Sequence, residues 1–111
     1  MVEDFSATAV PDQNDKNTSY LAGENVQGVI AGTPYVIEFV DSDQSFTVAL
    51  MREPLSATRR QAESDLMQKL GITTQEMCGL RYVVLVSFDV NEGYAGRNLG
   101  FSFCPGAVRL P

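Results

Sequence analysis

The chain has no histidine. That excludes Ser-His-Asp and Cys-His catalysis, and any metal site that depends on imidazole ligands. Basic residues are scarce, 8 against 14 acids, giving a formal charge of −6. The positive footprint of a nucleic-acid binder is therefore missing, and no nucleic-acid partner is expected. No apolar run approaches the roughly 20 residues of a membrane-spanning helix, so no membrane insertion by this segment is expected. Cysteine occurs twice, and not with the C-x-x-C spacing of a redox motif. What is present is ordinary for a globular domain: 111 residues, 44% hydrophobic and 20% charged.

The acidity sits at the front. Residues 1–53 hold nine acids and two bases, and residues 54–111 hold five acids and six bases. Residues 1–19 are polar and acidic, without apolar periodicity, and Met1 is followed by no hydrophobic signal core. Residues 1–33 are accordingly expected to be an acidic flexible linker or tail, with one candidate edge segment near 26–31; Tyr20–Gly32 is transitional, and Tyr20, Leu21, Val26, Val29 and Ile30 could form an extra edge strand or cover an open side of the core. Residues 34–111 are expected to be a single small α+β domain.

Within that domain, Tyr35, Ile37 and Phe39 share one face of a strand by the two-residue period. The polar turn Asp41-Ser42-Asp43-Gln44 follows. A second strand then places Phe46, Val48 and Leu50 on one face, and the short connection predicts an antiparallel hairpin. Pro54 ends that strand. A helix is expected over about 56–70, with Ser56 as N-cap, an apolar stripe of Thr58, Ala62, Leu66 and Leu70, and Gly71 as the left-handed C-terminal residue. Thr73 to Glu76 has the spacing of a capping box for a short second helix. The run from Leu80 to Val90 is apolar on both faces near its middle, which suggests a central strand. Asn98–Cys104 alternates Leu99, Phe101 and Phe103 and reads as the last strand. The expected architecture is α+β, a two-layer sandwich with one main helix on a mostly antiparallel four-stranded sheet, in the order β-β-α-β-β.

If the last two strands form a hairpin, pairing Val86 with Asn98 sets Leu80 opposite Cys104. Cys78 then comes within bridging reach of Cys104. A disulfide between them implies an oxidising compartment. The alternative is a pair of buried free thiols in a reducing cytosol.

Candidate sites are few. The loop Asn91–Arg97 is glycine-rich, but it precedes a strand and matches no phosphate-binding pattern. Tyr94 as an exposed aromatic anchor, with Arg97 as its charged partner, is the best candidate for partner binding, because Tyr and Arg are enriched at interface hot spots. Asp41 and Asp43 read as a solvated turn, Arg59 and Arg60 as a solvated helix face, and Glu38 as an acid on the less covered sheet face. The stretch Gln27–Gly32 is similar over six residues to the Q-x-V-x-G loop of cystatin-type protease inhibitors. Ala31 stands where that loop has glycine, however, and the long helix follows the loop instead of preceding it, so no family is assigned. No catalytic residue, cofactor or metal is expected. The expected function is a non-enzymatic extracytoplasmic binding or structural domain of a secreted or membrane-anchored protein, whose partner would be another protein or a surface component. The alternative is a cytoplasmic regulatory or scaffold domain with free thiols.

Overall fold

A computed structural model describes residues 10–11, 18–25 and 28–111. The strands are β1 (Val10–Pro11), β2 (Thr18–Ala22), β3 (Glu24–Asn25), β4 (Gly28–Val29), β5 (Tyr35–Val40), β6 (Ser45–Leu50) and β7 (Tyr82–Val86). Helices α1 (Leu55–Leu70) and α2 (Thr74–Cys78) lie between β6 and β7. The main sheet has the order β1-β2-β5-β6-β7, and β3 and β4 form a small second sheet. The fold is α+β, with one main helix on a mostly antiparallel sheet.

The β5–β6 hairpin forms as its alternation predicts. Tyr35, Ile37 and Phe39 pair with Leu50, Val48 and Phe46. The next register row over sets Phe46, Val48 and Leu50 beside Tyr82, Val84 and Val86. These residues make one apolar face, and α1 lies on it, burying Ala62, Leu66 and Leu70 among them. The helix starts one residue earlier than predicted. Pro54 occupies the N-cap position without a side-chain cap, and the Ser56 amide donates instead to the Pro111 carbonyl (2.9 Å). Gly71 ends the helix at φ 67°, and Thr73 and Glu76 complete the capping box of α2.

Three features differ from the sequence expectation. Residues 18–22 join the main sheet, antiparallel to β5, whereas the candidate edge segment was placed near 26–31. Of that segment, Val26 and Gln27 lie outside the described residues, and Gly28–Val29 pairs only with β3. A bulge between Tyr20 and Ala22 turns Leu21 into the helix-side core. Just beyond, Gly23 sits at φ 81°, where an added Cβ would lie 2.3 Å from the Tyr35 carbonyl oxygen, so only glycine fits between β2 and β5.

Second, β7 is an outer strand and not a central one. The crossover through α1 sets it parallel to β6 at the end of the sheet. Third, residues 98–104 form no strand, so the order β-β-α-β-β is not matched. Gly100 and Gly106 take positive φ, and the chain turns at Phe101–Cys104. Only a short piece meets the open edge of β7. The Leu99 amide donates to the Val84 carbonyl (2.8 Å). The Asn98 side chain supplies what a neighbouring peptide group would: Oδ1 accepts from the Val84 amide (2.9 Å), and Nδ2 donates to the Tyr82 carbonyl (3.3 Å). One amide side chain thus stands in for a strand and blunts an edge that could otherwise pair with another chain.

Candidate functional site

The residues from Asn98 to Pro111 form a strap along α1 and β7, and three devices hold it. The first is apolar. Leu99 and Phe101 are fully buried, and the Phe101 ring stacks on Tyr82 with centroids 4.0 Å apart. The second is ionic. Arg59 and Glu63, one helical turn apart on α1, are both buried, which corrects the reading of this helix face as solvated. The Arg59 guanidinium donates through Nη1 to the carbonyls of Leu99 (3.3 Å), Gly100 (3.3 Å) and Val108 (2.8 Å). Glu63 accepts from the amide of Ser102 through Oε2, and from its hydroxyl through Oε1 (2.7 Å). Arg59 Nε lies 3.9 Å from Glu63 Oε2, close enough for an ion pair but too long for a hydrogen bond. These two side chains replace part of the hydrogen-bond ladder that a strand at 98–104 would have had. Burial pulls the Arg59 guanidinium below its usual pKa and neighbouring Arg60 adds to this, while Glu63 opposes both.

The third device is covalent. Cys78 and Cys104 form a disulfide with Cα atoms 5.5 Å apart. The bridge was predicted from a Val86–Asn98 register. The actual contact is Val84 with Asn98 and Leu99, and the turn at Phe101–Cys104 takes up the difference.

A second polar cluster ties the sheet to the helix. Tyr35 donates its hydroxyl to Asp65 Oδ2 (2.8 Å), and Lys69 Nζ donates to the same oxygen (3.1 Å) and to the Leu21 carbonyl (2.6 Å). Burial first, then the hydrogen bond to Asp65 and its charge, pushes the Tyr35 hydroxyl from 10.0 up to about 12. A phenol pKa raised by folding contributes stability that is complete below the unfolded value and disappears as pH rises through the folded one. Urea unfolding should therefore show a stability gap between wild type and Tyr35→Phe that is constant up to about pH 10 and shrinks toward about pH 12. A gap independent of pH would contradict this linkage.

The sequence-predicted candidates are dispersed. Tyr94 is half-buried against the edge of the core, which corrects its reading as an exposed anchor. Arg97 is exposed and sits over the Tyr94 ring, 5.6 Å from its centroid, so the two residues do form a cation–π pair. Arg52 donates to the Gly32 carbonyl (2.7 Å) and Arg60 is exposed, so with Arg59 buried the three arginines form no common patch. Asp43 accepts from Ser45, and the Asp43 carbonyl accepts from Arg81 (3.2 Å), within an exposed turn. Glu38 pairs across the sheet with Tyr20 and Thr47 on the face away from α1. Among the described residues no group of three His, Cys, Asp or Glu side chains could hold a metal ion. No helix among them is long and apolar enough to cross a membrane.

Sequence reasoning missed the Arg59–Glu63 pair. The signal was present: both residues flank Ala62 on the side of the stripe that includes Leu55 and Leu66. An i,i+4 Arg–Glu pair is more often solvated, and only the non-strand conformation of 98–111 supplies the carbonyls that make its burial favourable. No protein family, curated protein or solved structure matches this chain.

Proposed function

We propose that this is a non-enzymatic, extracytoplasmic binding module of a secreted or membrane-anchored protein. The observation that carries the reading is the Cys78–Cys104 bridge, which joins the end of α2 to the strap lying along β7. Such a bridge persists in an oxidising compartment, and it suits a small domain whose last 14 residues carry no regular structure. Two further observations support the non-enzymatic part. The chain has no histidine. The buried acid Glu63 has both oxygens engaged in anchoring Ser102. The partner-contacting element is the loop that carries Tyr94 and Arg97. Its ring is held in place by the core and its guanidinium is exposed, a low-entropy pair suited to an interface.

Cell fractionation with the full gene product tests the location. The protein is expected in the periplasmic, surface or secreted fraction. Recovery in the cytosol would favour the alternative, a scaffold domain with free thiols.

A further inference from the structure

The described surface exposes five large hydrophobic side chains, and four of them lie at one end of the main sheet, three on loops and Val29 in β4. Phe88 is 67% exposed, Val29 52%, Ile30 47% and Met51 37%. The sheet topology explains the placement. β6 and β7 are parallel, so residues 51–54 and 87–93 both leave the sheet at the same end. β5 is antiparallel to β6, so the segment that enters it, 28–34, is there too. Hydrogen bonds fasten these loops together. The Met51 amide donates to the Pro34 carbonyl (2.8 Å), Arg52 to the Gly32 carbonyl (2.7 Å), and Asn91 Nδ2 to Glu53 Oε2 (3.1 Å). The fifth exposed side chain, Phe103, belongs to the opposite end, beside Phe101.

Charge at this end has one dominant sign. The three loops carry the exposed carboxylates Glu53, Asp89 and Glu92 against a single base, Arg52. Exposed apolar side chains interspersed with carboxylates complement a basic surface that carries apolar side chains. The same carboxylates repel an anionic lipid surface, and they repel their own copies in a symmetric dimer.

We infer that the sheet end formed by residues 28–34, 51–54 and 87–93 is a docking surface for a basic protein segment bearing apolar side chains, with Phe88, the most exposed of the four, as an anchor. This rests on the reading of the domain as a binding module and names the partner's chemistry.

The test uses the full disulfide-bonded chain and a synthetic amphipathic peptide of lysine and leucine, with a glutamate-for-lysine counterpart as control. Wild type should bind the basic peptide at least about tenfold more tightly than the acidic one, and affinity should fall as ionic strength rises. Phe88→Ser should weaken binding by at least about tenfold, with an unchanged urea midpoint because the ring is exposed. The double variant Asp89→Asn/Glu92→Gln should reduce both the affinity and its salt dependence. Equal binding by wild type and both variants overturns the inference, as does no binding of the basic peptide. Preferential binding to vesicles of phosphatidylcholine and phosphatidylglycerol, or a dimer dissolved by Phe88→Ser, overturns it as well. If Tyr94→Ala/Arg97→Ala weakens peptide binding while Phe88→Ser does not, the inference fails and the binding-module reading stands. If the fractionated protein is cytosolic, that reading fails independently of the peptide result.

Discussion

Replacing Arg59 with alanine should lower the unfolding free energy by about 3–5 kcal/mol, the range expected when one member of a buried ion pair is removed. The physical reason is what remains behind. Three carbonyls, those of Leu99, Gly100 and Val108, lose their shared donor, although that of Leu99 keeps the Val108 amide (2.9 Å). Glu63 stays buried at 3% exposure without its cation. A buried polar group left unpaired costs about 1–3 kcal/mol, and more if it is charged. Water reaching the strap would recover part of that, which keeps the total below the sum of the separate penalties. Arg60 is the control, because it is the same residue type one position along and exposed. Arg60→Ala should change stability by no more than about 0.5 kcal/mol. Urea unfolding of the two variants checks the contrast, and an Arg59→Ala cost within about 1 kcal/mol of Arg60→Ala would contradict the role assigned to the guanidinium.

The second large effect is loss of the cross-link. Reducing the disulfide, or replacing both cysteines with serine, should cost about 3–4 kcal/mol in the chain-entropy account. The sequence separation of 26 residues sets that range. The expected loss should not simply add to that of Arg59→Ala. Both devices hold residues 98–111, so once the strap is released by one, the other has less native structure to stabilise. The double-mutant cycle should therefore be sub-additive by about 1 kcal/mol or more. Strict additivity would mean that the ion pair and the disulfide act on separate parts of the molecule.

The parts of this fold that were legible in the sequence are those where one pattern has one geometric outcome. The alternation in β5 and β6, the Ala62–Leu66–Leu70 stripe, Gly71 and the Thr73–Glu76 box each specify a local structure that the packed domain keeps. The cysteine pairing was also predicted, although from a register that is not the one formed. What was not legible depends on competition between partners distant in sequence. Leu99, Phe101 and Phe103 alternate like a strand, yet the carbonyls of this stretch are claimed by a helix arginine 40 residues earlier in the chain. That competition decides both the strap and the edge position of β7. Tyr20 and Leu21 were legible only as part of a transitional stretch, because a strand paired at its bulge buries both in succession and so loses the alternation that marks a strand. For the candidate site, the sequence pointed to Tyr94 and Arg97 as a pair, but not to the half-burial of the ring. It gave no sign that Met51 and Phe88 would lie at the same end of the sheet, because that placement comes from the parallel pairing of β6 and β7.

The proposed function turns on the Cys78–Cys104 bridge. Counting thiols tests that bridge most directly. Protein isolated without reductant from the cells that make it is unfolded, treated with an alkylating reagent, and weighed intact. The account predicts that Cys78 and Cys104 take up no reagent until a reductant is added, after which both are modified. Two modified cysteines before reduction would contradict it.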